Sequence, residues 1–339
     1  MIKPLFWKNQ HLFIVDQTRL PGEYKLIEIR DHLEMAEAIH KLAIRGAPAL
    51  GIAAAFGLVI GLKPFRNSLK KVFLGELQKI AAILQNTRPT AVNLAWALAR
   101  MRQVAQNLTD ETTDSIWQAL LKTALQIHRE DIAMCRKIAK HGQTLLPDEA
   151  KVITHCNTGG LATGGLGTAL GILITAHKRG KKIHVYVDET RPLLQGARLT
   201  CWELNREGVP FTLISDNMAG YLLANRKITA VLTGADRIAA NGDTANKIGT
   251  YGLAILAKYH GVPFYITAPS STIDPSINSG DQIQIEERSG AEIREVCGVQ
   301  MVPENYPAIS PAFDITPNAL ISAIITEAGV KYPPFQFQQ

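Results

Sequence analysis

In the second half of this sequence, reactive side chains gather immediately after short apolar runs. Five runs, Lys151 to His155, Ile183 to Val187, Phe211 to Ile214, Ala230 to Thr233 and Pro263 to Thr267, lead into His155-Cys156-Asn157-Thr158, Asp188-Glu189-Thr190-Arg191, Ser215-Asp216-Asn217, Gly234-Ala235-Asp236-Arg237 and Ala268-Pro269-Ser270-Ser271. Turn chemistry enriches Asp, Asn and Ser where loops begin and accounts for about half of these residues. It does not account for a cysteine. Cys156, at a strand end with a helix to follow, is where a thiol pKa tends to fall; the competing reading is a small buried hydrophobe. His155 is expected to face the other way if it continues the strand, so a Cys-His dyad is not expected. Asp236 follows the apolar approach Ala230-Val-Leu-Thr-Gly-Ala, which disfavours the charged carboxylate and suits a proton donor near neutral pH. An ion pair with Arg237, or a helix N-cap, is the alternative for that aspartate.

Cys156 also opens a glycine-rich passage, Asn157 to Thr168, that runs into a helix. Backbone N–H groups at such a junction cradle a phosphate, and the helix dipole favours its charge. A dinucleotide fingerprint fits badly: Gly165-x-Gly167 is followed by Leu170 where the last glycine belongs, and no Walker-type Gly-Lys-Ser/Thr occurs. Close packing of a Gly/Ala helix on a sheet is the plainer reading of the same residues.

The elements that must hold these residues follow from the recurrence of the runs. Short β segments with helical stretches between them imply a parallel sheet, and near-continuous apolarity implies helices on both of its faces. The first 145 residues read differently. Short strands between Phe13 and Ile29, broken at Leu20-Pro21-Gly22-Glu23, precede helices from Asp31 as N-cap to Leu42, from Pro48 through Gly61, and at about 69–85, 91–106 and 114–141. The fold expected is therefore α/β: a small β element plus helical domain over 1–145, a Rossmann-like open parallel sheet over 146–330, and a loosely ordered tail over 331–339.

Composition narrows the partners. Lys plus Arg number 36 against 30 Asp plus Glu, a net charge of +6 on 339 residues, and no like-charge run exceeds pairs such as Lys70-Lys71 or Lys181-Lys182. Neither nucleic acid nor an anionic membrane is an expected partner. With 46% hydrophobic and 19% charged residues the chain is expected to be compact. Gly46 to Leu62 and Gly159 to His177 approach the length of a membrane span, but their Gly and Ala content suits buried helices. MIKPLFWKNQ lacks the apolar core and cleavage site of a leader, so a cytoplasmic protein is expected. Cys135, Cys156, Cys201 and Cys297 are too scattered for a disulfide framework or zinc ribbon.

Taken together, Arg45-Gly46-Ala47-Pro48-Ala49-Leu50-Gly51, His155-Cys156-Asn157-Thr158-Gly159, DETRPLLQGARLT, SDNMAG and GADRIAANGDTANKIGTY resemble the methylthioribose-1-phosphate isomerase family, and the similarity runs from Trp7 to Pro317. The resemblance implies conversion of an aldose phosphate, 5-methylthioribose 1-phosphate, to the ketose 5-methylthioribulose 1-phosphate, a step of methionine salvage. It implies neither metal nor redox cofactor, and a homodimer. Carried over by motif, Asp236 is the proton donor and Cys156 the second catalytic residue, with Arg45, Gly46, Ala47, Arg88, Gln195, Asn246 and Lys247 around the substrate. Arg45-Gly46-Ala47 at a helix N-terminus, with Arg88 expected to repeat that geometry before the next helix, suits an incoming phosphate. Arg45, Arg88 and Lys247 are thus expected to serve one sugar phosphate. Gly160 and Gly164 stand where the family pattern has alanines, which is expected to loosen the turn, and Ser310 stands where Asn is usual. Two alternatives share the pattern: a ribose-1,5-bisphosphate isomerase, and a non-enzymatic regulatory subunit like those of initiation factor 2B.

Overall fold

A computed structural model describes residues 2–108 and 110–338. Two compact units emerge: one comprises the chain up to Cys135 together with Gly160–Gly167, the other Arg136–Gly159 and Thr168 to the C-terminus. The division falls inside a helix rather than near residue 145, and the glycine-rich segment groups with the N-terminal unit.

In the first unit, β1 (Leu5–Lys8), β2 (His11–Val15) and β3 (Leu26–Ile29) form an antiparallel sheet. Helices α1 (His32–His40), α2 (Ala47–Leu62), α3 (Lys70–Thr87), α4 (Val92–Gln106) and α5 (Thr113–Gly142) follow. Asp31 caps α1 as expected, its carboxylate accepting from the N–H groups of Leu33 and Glu34 at 2.8 Å each. Helix α2 is apolar around its whole circumference and buried from Ala49 to Leu62, which makes it the centre of this unit's core. It is long and apolar enough to cross a membrane by composition, but most of its surface is covered by neighbouring elements. Trp117, from α5, packs on it and donates its indole N–H to the Val59 carbonyl at 2.8 Å.

The second unit is built on a seven-stranded sheet. Its members are β4 (Glu149–Thr154), β5 (Lys182–Asp188), β6 (Phe211–Ile214), β7 (Ala230–Thr233), β10 (Phe264–Thr267), β15 (Ala323–Thr326) and β16 (Gly329–Lys331), in the spatial order β16-β15-β10-β7-β4-β5-β6. All pairings are parallel except β15 with the edge strand β16. The five strands read from the sequence are all present; the last two were not read. Alternate residues serve opposite faces: Val152, Val185 and Leu232 join α6 (Ala169–Lys178) and α7 (Cys201–Glu207), while Ile153 and Val231 join α8 (Met218–Asn225) and α9 (Thr250–Tyr259). Residues 159–177, the second apolar stretch, are a turn followed by α6 rather than one long helix.

A second sheet, unforeseen in the sequence, has the order β11-β8-β9-β14, with β8 (Arg237–Ala239), β9 (Thr244–Lys247), β11 (Ile273–Asp274) and β14 (Phe313–Thr316). Beyond it lie the short helix α10 (Ala291–Arg294) and the hairpin β12 (Glu295–Val296) with β13 (Val299–Gln300). Part of the C-terminal segment, at residues 335–337, is packed against the fold, contrary to expectation. Phe335 is buried and stacks with Phe337, whose N–H donates to the Ala240 carbonyl at 2.9 Å.

Candidate active site

Strand order locates the site within the second unit. From β4 the chain moves outward to β5 and β6, then returns to β7 on the other side of β4 and continues through β10 to β15. Ligands of open α/β sheets sit beyond the carboxyl ends of the strands at such a reversal. The two adjacent strands there are β4 and β7, with Thr154 opposite Leu232. Cys156 follows the first and Asp236 follows the second.

Cys156 has a left-handed backbone, φ 63°, and is largely buried. Such a conformation in a non-glycine residue costs about 1–3 kcal/mol and persists only when its surroundings impose it. Here both of its backbone groups are held. Its N–H donates to Thr190 Oγ1 at 2.8 Å, and its carbonyl accepts from Thr200 Oγ1 at 2.7 Å. Thr190 is fixed in turn by Asp216, whose two oxygens accept the N–H groups of Thr190 and Arg191 at 2.7 Å each. Next along the chain, the buried Asn157 donates to Thr200 Oγ1 and to the buried Glu203 carboxylate. Helix α6 begins only at Ala169, with Thr168 as N-cap, so Cys156 is not immediately followed by a helix N-terminus; Thr158 Oγ1 accepts the Leu170 N–H in its first turn at 3.2 Å.

Gln195 precedes a single π-turn, Gly196–Thr200, that runs into α7. Its side chain is buried, and its Oε1 has no hydrogen-bond partner among the described residues. An acceptor kept from water in this way is costly unless something supplies a donor. A Cβ at Gly196 would lie 1.7 Å from the Asp188 carbonyl oxygen, so only glycine permits this approach of backbone to strand end.

Asp236 sits at the junction of the two sheets, after β7 and directly before β8, and its N–H donates to Ala245 on β9 at 2.9 Å. Arg237, considered from the sequence as its ion-pair partner, binds Asp274 at 2.5 Å. Asn246 and Lys247 follow Ala245 and are both buried. The Asn246 amide donates to Thr250 Oγ1 at 3.0 Å; Lys247 Nζ donates to the Ala312 carbonyl at 2.8 Å and lies 4.8 Å from the Phe313 ring centre.

The remaining candidates belong to the first unit. Gly46 is the N-cap of α2 with φ 97°, and a Cβ there would lie 2.5 Å from Ala162 Cα. Arg45 and Ala47 flank it, half-buried. The glycine-rich turn is therefore seated on this helix start, and Gln17 Nε2 donates to its Leu161 carbonyl at 2.8 Å. Gly164, expected to loosen the turn, is pinned on both sides. Asp131 accepts its N–H at 2.5 Å and His128 Nε2 lies 2.9 Å from its carbonyl, both from α5. Burial holds the His128 pKa below its usual value. Arg88 closes α3 as its C-cap, whereas the N-cap of α4 is Ala91, so it does not repeat the geometry of Arg45.

His155, Asp188 and Asp216 offer donor atoms within 4.8 Å of one another, a spacing that would admit a metal ion. Apart from Asp188 Oδ1, their donor atoms are already engaged. The two ring nitrogens of His155 lie 2.9 Å from Asp188 Oδ2 and 2.8 Å from the Ile248 carbonyl, and Asp216 is spent on two backbone N–H groups. Among the other cysteines, burial raises the Cys201 thiol to about 11 and pushes Cys135 well up, while Cys297 is exposed.

Residues 43–333 match the model of the Initiation factor 2 subunit family. A methylthioribose-1-phosphate isomerase of Desulforamulus reducens is 52% identical over 331 residues, covering 98% of this chain and 96% of that protein. Among solved structures, the 5-methylthioribose 1-phosphate isomerase of Pyrococcus horikoshii OT3 matches with a TM-score of 0.92 at 42% identity, over 99% of this chain and 94% of its own. A protein of A. fulgidus described as the delta subunit of translation initiation factor eIF-2B matches at 0.87 and 41%, over 98% and 97%. On identity and coverage alike, the chain belongs to the methylthioribose-1-phosphate isomerase family, within the Initiation factor 2 subunit family.

Proposed function

We propose that this chain converts 5-methylthioribose 1-phosphate to 5-methylthioribulose 1-phosphate in methionine salvage, with Asp236 as proton donor and Cys156 as second catalytic group. The reading is carried by one observation: a carboxyl and a thiol follow the two adjacent strands, β7 and β4, at which the sheet order reverses. Arg45, Gly46, Ala47, Arg88, Gln195, Asn246 and Lys247 bind the sugar phosphate, and the buried Oε1 of Gln195 suits a sugar hydroxyl as donor.

The substrate explains the need for two groups. Carbon 1 carries the phosphate, so the ring does not open to a free aldehyde. Asp236 gives a proton to the ring oxygen as the bond from that oxygen to carbon 1 breaks, leaving carbon 1 electron-poor. Hydrogen then moves from carbon 2 to carbon 1, and the carbon 2 hydroxyl loses its proton to become the ketone. In one route Cys156 as thiolate removes the carbon 2 proton, and the resulting enolate is protonated at carbon 1; in the other, hydride shifts directly. Turnover in deuterated water separates them: solvent deuterium at carbon 1 rules out a purely direct shift, and retained hydrogen weakens the exchange route. Cys156→Ser and Asp236→Asn are expected to lower kcat by about 100-fold or more. Full activity in both variants would remove these residues from the mechanism.

Similarity to the A. fulgidus protein described as an eIF-2B delta subunit gives a second reading its basis: for this chain, a regulatory-subunit role without catalysis. Presence of both Cys156 and Asp236 favours the enzyme. We also propose a homodimer acting on a small molecule without nucleic acid or membrane; sedimentation at micromolar concentration tests the assembly, and a monomer would contradict it.

A further inference from the structure

We infer that His155 and Asp188 are positioning residues for this isomerisation, an inference that rests on the function proposed above: their buried pair ties the backbone carrying Cys156 to the turn that follows Lys247. From the sequence, His155 was expected to face away from Cys156 if it continued the strand; β4 ends one residue earlier, at Thr154. The His155 ring reaches the other strand ends. His155 is 1% exposed, and its imidazole bridges Asp188, at the end of β5, and Ile248, just after β9 of the other sheet. Each contact continues toward a candidate residue. The Asp188 carbonyl accepts from Thr190 Oγ1, which itself accepts the Cys156 N–H. On the other side, the Ile248 N–H donates to the Ala312 carbonyl, the same oxygen that holds Lys247 Nζ.

The hydrogen bonds also fix the proton count. A carbonyl only accepts, so Nε2 carries hydrogen toward Ile248. One further proton then lies between Nδ1 and Asp188 Oδ2, shared by the pair whichever atom formally holds it. Three carboxylates face the ring: Asp188 on β5, Asp216 after β6, and Asp314 on β14, which accepts the N–H groups of Gly249 and Tyr251 just beyond Ile248. Burial alone would lower the imidazole pKa, but the hydrogen bond and charge of Asp188, with Asp216, hold it above the usual histidine value. Asp188 Oδ1 has no hydrogen-bond partner among the described residues, so the carboxyl depends on His155.

Two variants separate geometry from the shared proton. In Asp188→Asn the amide donates to Nδ1 of a neutral ring, which keeps the bridge but removes the titrating pair. In His155→Gln the amide reaches Ile248 and loses Asp188. With fold verified by circular dichroism and cooperative melting, Asp188→Asn is expected to lower kcat by about tenfold, as a modest misplacement does, with KM nearly unchanged, and to abolish the limb of the pH–kcat profile that the pair contributes. His155→Gln is expected to lower kcat and raise KM together. Independently of activity, nitrogen NMR of the wild-type chain should show His155 keeping its second proton above pH ~6.5, the ordinary histidine value. A folded Asp188→Asn with wild-type kcat and pH profile, or a His155 that titrates at or below that value, would overturn the inference. Should both variants fail to fold, the wild-type titration still decides. A wild-type chain with no turnover of methylthioribose 1-phosphate refutes the proposed function instead, and the two failures are thereby distinct.

Discussion

Two threonines, distant in sequence, grip the peptide groups of Cys156 and support its strained backbone. Thr190→Val would leave the buried N–H without an acceptor, a loss of about 1–3 kcal/mol. We expect a lower urea midpoint together with reduced kcat; unchanged stability would show that the left-handed turn needs no such support. Gly46 makes a similar demand in the first unit. Gly46→Ala forces a side chain into a left-handed conformation, costing about 1–3 kcal/mol before the collision with Ala162 is counted. A clear fall in melting temperature is expected, and a fall of less than a degree would contradict the packing. At this scale the sequence exposed which residues stand at strand ends but not who holds them. Cys156 and Asp236 were legible because turn chemistry does not explain a thiol and an apolar approach singles out a carboxyl. The partners of Cys156, Thr190 and Thr200, lie 34 and 44 residues away, and no local spacing reveals such a contact.

Elements with a strong period or cap could be read directly. Asp31, Pro48 and the apolar stripe of each long helix placed the first unit's helices to within a few residues. The small sheet β11-β8-β9-β14 escaped because its strands are two to four residues long and carry no alternation of their own. The tail escaped for a different reason: Pro333-Pro334 and a terminal position argue for disorder, while Phe335 is buried by packing that only the fold supplies. A Cβ on Gly242 would lie 2.6 Å from that ring, so the two are matched. Phe335→Ala is expected to cost about 3 kcal/mol, at the lower end for a buried phenylalanine, read as a shift of the urea midpoint; a neutral result would mean that the tail packs without contributing.

For the whole molecule, net charge and composition set the expectation that neither nucleic acid nor a membrane is a partner, and the two apolar stretches of near-membrane length proved to be a core helix and a turn with a shorter helix. Stability toward acid depends on particular carboxyls. Burial works to raise Asp243, but the N–H groups of Gly280 and Asn318 and the amides of Asn241 and Asn318 hold it below the usual carboxylate value. Because its folded pKa is depressed, its contribution is complete above the unfolded value of ~3.9 and is lost as pH falls through the folded one. Asp243→Asn should therefore lower the urea midpoint at pH 7, and the gap from wild type should narrow as the pH falls below about 3.9. A gap constant with pH would assign the loss to packing instead. The account as a whole rests on the identity of the reaction. The most direct measurement offers the purified chain 5-methylthioribose 1-phosphate and ribose 1,5-bisphosphate side by side, with Cys156→Ser and Asp236→Asn in parallel. The account predicts ketose formation from the methylthio sugar, little from the bisphosphate, and loss of turnover in both variants. No ketose from the methylthio sugar, or preferential turnover of the bisphosphate, would contradict it.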